Sequence, residues 1–160
     1  RVDAPLSRMQ RQIYHDALVK GFEALGLDGG GAPMIGVGPA KPATPLGVLR
    51  EVQKCCNHPY LFEGTEPISA SQEMEATMLA QASGKLVVLK QLLRGLLPRG
   101  HRVVITSQMT RMLDVIQDFL RHEQIAYARI DGSATAAERH AEVAAFNGSS
   151  AQHTVQVFLL

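Results

Sequence analysis

The apolar residues keep a helical rhythm through the first half of the chain, then break into alternating strand and helix patterns. In residues 6–25, Met9, Ile13, Tyr14, Ala17, Leu18 and Phe22 recur at three- and four-residue spacings, which marks one face of an amphipathic helix. Ser7 is placed to cap its start and Gly26 to stop it. Glycine and proline then crowd residues 26–45. Such a stretch cannot hold a helix or strand for long and is expected to be an exposed, mobile loop, with residues 26–41 as its most mobile part. Thr44 followed by Pro45 looks like an N-cap and a proline at the first helical position. Leu46, Leu49 and Val52 continue that short helix toward Cys55, and Pro59 ends it. A further helical segment is expected around residues 73–80.

From Ser83 the pattern changes. Ser83 can cap a helix over residues 84–97 whose buried side is Leu86, Leu89, Leu92, Leu93 and Leu96, with Pro98 and Gly100 ending it. Residues 101–106 form an apolar run rich in β-branched side chains, hence a strand. A helix over residues 110–121 follows, with Met109, Met112, Leu113, Ile116 and Phe119 on its apolar face. Residues 125–130 predict a second strand, and Asp131-Gly132 a turn. Thr135 and Glu138 form a capping box that opens a helix over residues 135–146. Residues 154–160 predict a third strand. This alternation with short links argues for an α/β fold with a parallel, three-stranded sheet covered by helices. The division falls into a mainly helical part, residues 1–82 with the Gly/Pro-rich loop at 26–45, and an α/β part, residues 83–160. The bare apolar run at the end of the chain is expected to leave an exposed strand edge, as in a truncated domain.

Composition narrows the classes. Lys plus Arg total 16 against 15 Asp plus Glu, a net charge of +1, so bulk charge gives no argument for nucleic acid. Aromatic residues make up 5% and tryptophan is missing, so base-stacking platforms are not suggested. The two cysteines, Cys55 and Cys56, are adjacent and cannot staple distant segments. No apolar stretch reaches membrane-spanning length.

Candidate chemistry gathers where the strands end, since ligands of parallel sheets collect beyond their carboxyl ends. Thr106, Ser107 and Gln108 stand where the first strand hands over to a helix. They can serve a phosphate or sugar oxygen, or simply cap the helix. Asp131, Gly132 and Ser133 stand at the end of the second strand. Asp131 can order the loop by accepting backbone N–H groups, or orient a basic group such as Arg139. Arg139 lies in the first turns of its helix, where the dipole gives a cation nothing. A carboxylate partner, a phosphate backbone or plain solvation would each account for it. Cys55, Cys56 and His58 offer a C-x-x-H pair, too few ligands for a zinc site, or a buried turn with small apolar thiols. Ser83-Gly84-Lys85 has the wrong order for a phosphate loop, and no strand precedes it. The glycine-rich loop lacks the Lys-Ser/Thr ending that a phosphate loop needs.

Taken in order, these segments resemble a known family. KCCNHPYLFEGTEP (residues 54–67), comprising Lys54, Cys55, Cys56, Asn57, His58, Pro59, Tyr60, Leu61 and Phe62 among others, is similar to the KCCNHPYLFEGAEP signature of chromatin-remodelling ATPases of the sucrose-nonfermenting type. SGKLVVLKQLL (83–93), GHRVVITSQMTRMLDVIQDFL (100–120), RIDGSATAAERHAEVAAFN (129–147) and VQVFLL (155–160) resemble later blocks of that family, and LSRMQRQIYHDAL (6–18) its preceding helix. The wording is most similar to the imitation-switch (ISWI) subfamily. Thr106 stands where the family usually has Phe, and SATAAER is blander than the family's polar version.

The resemblance implies an incomplete RecA-like, P-loop NTPase-type helicase C-terminal lobe, preceded by a mainly helical interlobe segment. It implies a parent that uses ATP and Mg2+ to move along DNA and slide nucleosomes in the nucleus. Partners would be DNA, histones, the first RecA-like lobe and remodelling-complex subunits. By the same resemblance Ser107 and Gln108 belong to a DNA-backbone element, Asp131, Gly132 and Arg139 lie near the interlobe cleft and DNA path, and Lys54 lies in the joining segment. The phosphate loop, the Asp-Glu box and the arginine fingers fall outside these blocks. No catalytic residue, no metal and no bound cofactor are therefore expected of this segment by itself. A translocase of DNA repair or transcription, or a non-catalytic scaffold derived from such a motor, would carry the same blocks.

Overall fold

The computed structural model describes residues 2–24, 44–67, 71–132, 134–148 and 155–160, with side chains described for all of these but 22–24. The expected mobile loop at 26–41 and Ser133 lie outside the described residues. The helices are α1 (Arg8–Ala24), α2 (Pro45–Asn57), α3 (Gln72–Ala82), α4 (Gly84–Leu96), α5 (Thr110–His122) and α6 (Ala136–Asn147). The strands are β1 (Val103–Ile105), β2 (Tyr127–Arg129) and β3 (Val157–Leu159), with single 3-10 turns at Pro59–Leu61 and Leu97–Arg99. The chain forms two compact units, one of Arg1–Ala70 with Thr77–Val88, the other of Ser71–Ala76 with Leu89–Leu160. The last break falls after Val88, within α4.

In the first unit α1 lies along α2. Gly21 makes this approach possible, since a Cβ there would come within 2.6 Å of Val48 Cγ1. Ile13, Cys55 and Phe62 form its core cluster, with Met9 and Tyr14 packed against it. The local signals act as expected. Ser7 Oγ accepts from Gln10 N, and Thr44 Oγ1 accepts from Gly47 N, each capping its helix at 3.0 Å.

The second unit is the α/β layer. All three strands run parallel in the order β1-β3-β2. Val157 sits between Val103 and Tyr127, and Leu159 between Ile105 and Arg129. The last strand is therefore the centre of this sheet, not an exposed edge. All three of its residues are buried, and its flanks continue the ladder through Ser107 N to Leu160 O (2.8 Å) and Ile130 N to Leu159 O (2.9 Å). Its unbroken apolar character has its cause here, because a central parallel strand is covered on both faces. The edges of this sheet are β1 and β2, and Val104 in β1 is 52% exposed.

Residues paired in parallel register share a face. Phe158 and Ala128 face α6, whose Phe146 ring lies 5.0 Å from that of Phe158. Arg129, one residue on, reaches α5 on the other face. Helix α5 buries the expected Met112, Leu113, Ile116 and Phe119, together with Val115 and Leu120. The expectation for α4 needs correction. Leu86 and Leu93 are buried and Leu89 and Leu96 half-buried, but Leu92 is 43% exposed. Five leucines span a wider arc than this helix covers, and Leu92 falls at its rim.

Candidate functional site

The block at residues 54–62 builds a polar knot from helix ends. The last four carbonyls of a helix have no partner within it. Here the end carbonyls of Cys55, Asn57, Leu79 and Ala82 are met by side chains of the first unit. Gln10, fully buried on the apolar face of α1, donates through Nε2 to the Cys55 carbonyl at 2.8 Å. Its Oε1 accepts from Gly84 N at 2.9 Å, an orphan donor of α4, and from Ser7 N at 3.0 Å. Ser83 Oγ donates to the Asn57 carbonyl at 2.6 Å, and Ser7 Oγ to the Ala82 carbonyl at 2.6 Å. His58 accepts from Tyr60 N through Nδ1 at 3.1 Å, which leaves Nε2 to donate to the Leu79 carbonyl at 3.0 Å. Burial pushes the His58 pKa down, with the Leu79 carbonyl opposing. Tyr60, Leu61 and Phe62 are buried beside it, with Pro59 starting the 3-10 turn.

These bonds leave little for ligand chemistry at the block. Cys55 Sγ donates to the Gln10 carbonyl at 3.0 Å, and burial followed by neighbouring Cys56 pushes its thiol up to about 12. Cys55 and His58 both have backbone partners. Among the described residues no cluster of three His, Cys, Asp or Glu is placed to hold a metal. Lys54 pairs with Glu51 at 2.7 Å and lies 5.8 Å from the Phe62 ring centre. Ser83, Gly84 and Lys85 do not fit a nucleotide phosphate. The Gly84 N–H is spent on Gln10, a Cβ at Gly84 would overlap the Pro5 carbonyl, and Lys85 Nζ bonds Asn57 Oδ1 at 2.8 Å. Spacing marks Ser7 and Ser83 as helix caps but does not show their second partners, the Ala82 and Asn57 carbonyls, nor the role of Gln10. A glutamine between Met9 and Ile13 on an apolar face was the available signal.

The second unit carries the groups at the carboxyl edge of the sheet. Ser107 Oγ accepts from Met109 N at 3.1 Å and so turns the chain into α5; Gln108 is exposed. Beyond β2 Arg129 donates to Asp131 Oδ2 from Nε (3.2 Å) and Nη2 (3.0 Å). Arg129 Nη1 also donates to Asp114 Oδ1 at 2.7 Å and Gln117 Oε1 at 2.6 Å. Partial burial would lower the Arg129 pKa, but the bonds to Asp114 and Asp131 outweigh it and hold it above its ordinary value. The Asp131 carbonyl accepts from Ala134 N at 3.2 Å, closing the turn that contains exposed Gly132. Arg139 donates from Nε to the Ala134 carbonyl at 3.1 Å and is itself exposed. A basic group that Asp131 meets is thus Arg129, two residues before it in the chain. The Thr135–Glu138 capping box forms as expected. A charge inside an apolar strand run was the sign that pointed to Arg129.

This fold and its ordered blocks define the class. A solved C-terminal domain of the Sulfolobus solfataricus SWI2/SNF2 ATPase matches with a TM-score of 0.76 at 19% identity, over 99% of this chain and 60% of that one. A chromodomain-helicase-DNA-binding protein 3 homolog of Caenorhabditis elegans is 38% identical over 162 residues, 99% of this chain and 8% of that protein. An ISWI chromatin-remodeling complex ATPase of Arabidopsis thaliana is 37% identical over 155 residues, 97% of this chain and 13% of that protein. The chain is a segment of the SNF2-type chromatin-remodelling ATPase domain, from its C-terminal RecA-like lobe. The near-equal identities do not separate the ISWI group from the chromodomain-helicase group. The chain belongs to the family described as class II histone deacetylase complex subunits 2 and 3, whose model matches residues 46–158, from α2 into β3.

Proposed function

We propose that this chain is part of a DNA-dependent ATPase that translocates along DNA and remodels nucleosomes in the nucleus. The observation that carries the reading is the 38% identity to a chromodomain-helicase relative across 99% of the chain. In this reading Ser107, Gln108, Asp131, Gly132 and Arg139 form the rim of the carboxyl edge that meets DNA or the first lobe, and Lys54 belongs to the joining segment. ATP and Mg2+ serve the whole motor. Phosphoryl transfer needs a phosphate cradle, a metal and charge-stabilising arginines held together, and the segment described here contributes structure and DNA contact to that assembly. The wording of residues 54–67 and 83–93 supports a parent of the ISWI group. Histones, DNA and remodelling-complex subunits are its partners.

A second reading has its own support. The family match names subunits of a histone deacetylase complex, which favours a scaffold that keeps the lobe for docking and not for turnover. DNA-stimulated ATP hydrolysis by the full-length protein separates the two. Turnover that rises with added duplex DNA supports the motor. Its absence, with DNA binding retained, refutes the motor and leaves the scaffold. The 160-residue chain alone is expected to show no turnover with or without DNA.

A further inference from the structure

We infer that Arg129 is a positioning residue that sets Arg139 through the turn after β2, making one relay from α5 to the start of α6. This rests on the reading that Arg139 faces nucleic-acid phosphate. The relay has no break in its bonds. Asp114 and Gln117 of α5 hold Arg129 Nη1. The Nε and Nη2 of the same guanidinium hold Asp131. The Asp131 carbonyl holds Ala134 N, and the Ala134 carbonyl holds Arg139 Nε.

Each step fixes the next. Arg129 is only 18% exposed at its side chain and meets two acceptors on α5, Asp114 and Gln117, which hold its rotamer independently of the turn. Two nitrogens of one planar guanidinium converge on Asp131 Oδ2, a charge-assisted contact that holds that oxygen in place beside α5. That carboxylate begins a turn containing Gly132, whose backbone is otherwise the most permissive in the loop. The turn in turn places the Ala134 carbonyl. Arg139 spends Nε on that carbonyl, and among the described residues its terminal nitrogens make no bond. They are the edge of the guanidinium that can meet a phosphate end-on. An arginine in the first turns of a helix gains nothing from the dipole, and the bond to the Ala134 carbonyl is the contact that tethers it here. Lysine in place of Arg129 keeps the charge but has no fork. It cannot hold Asp131 and α5 together.

The full 160-residue chain tests this in two measurements. The first is the NMR resonance of Arg139 Nε–H and its exchange with water, in the parent chain, Arg129→Lys and Asp131→Asn. Both substitutions should shift that resonance and speed its exchange, while the α5 amides stay protected. An unchanged Arg139 signal in two folded variants overturns the relay. The second is binding of a short fluorescent DNA duplex at several salt concentrations. Arg139→Gln should lower the salt slope by about one, and Arg129→Lys should weaken binding in the same direction. The double variant should bind no more weakly than Arg139→Gln alone, because the two act in series. Losses that multiply mean that Arg129 acts independently, which refutes the relay. If Arg139→Gln leaves DNA binding unchanged, the phosphate assignment of Arg139 fails, and the Nε–H comparison still decides the relay.

Discussion

Replacing Gln10 with alanine should destabilise the first unit far more than its place on a surface-type helix suggests. The side chain is fully buried, and its single amide serves three helix ends: the Cys55 carbonyl of α2, the Gly84 N–H of α4 and the Ser7 N–H at the start of α1. Ser7 is half-buried, so water can replace the lost bond there. Cys55 and Gly84 are buried, and their groups would be left unpaired. Each buried orphan costs roughly 1–3 kcal/mol, so the two together cost roughly 2–6 kcal/mol before any cavity term. A domain of this size has about 5–15 kcal/mol in all. Gln10→Ala is therefore expected to remove a large share of the stability. Urea unfolding of Gln10→Ala and of Gln12→Ala, an exposed position on the same helix, provides the comparison. The first should shift the midpoint strongly at constant slope, and the second should change stability by less than about 0.5 kcal/mol. Equal, small effects at both positions would show that the knot does not hold the helices together.

Three further outcomes follow from the same unit. Gly84→Ala should prevent native packing, because the new Cβ meets the Pro5 backbone carbonyl and not a movable side chain; circular dichroism and proteolysis would show it, and a native melting profile would count against the close approach. His58 has its folded pKa below the ordinary 6.5 because of burial. The unfolded chain thus takes up the proton first as the pH falls. Stability should be full above about 6.5 and decline below it, and His58→Gln should flatten that part of the profile. Of the two cysteines, Cys56 is half-buried, whereas Cys55 is buried with its thiol pushed up to about 12. A thiol reagent at neutral pH should label one cysteine in the folded chain and two in urea, and rapid native labelling of Cys55 would contradict the packing.

The sequence by itself determined what neighbouring residues decide. Helix starts were legible because Ser7, Thr44 and Thr135 bond N–H groups within three residues of themselves. Helix faces were legible from spacing, and α5 follows the expected pattern through Met112, Leu113, Ile116 and Phe119. The parallel α/β class followed from the alternation of periods, and the family from the wording of whole blocks. What the tertiary structure decided involves residues far apart in the chain. Periodicity cannot say that β3 lies between β1 and β2, because each strand looks equally apolar until its neighbours are known. Leu92 and Leu93 are equally apolar, yet Leu93 is buried and Leu92 is exposed. Ser83-Gly84-Lys85 and residues 54–62 read as separate motifs, and only folding shows that both are closed by Gln10 and Asn57. Arg129 gained its role in the same way, because Asp114 and Gln117 come within its reach only when α5 lies across the sheet. A hydrogen bond is directional and short-ranged. A sequence can announce the groups that must be satisfied, but only the packed chain chooses which partners satisfy them.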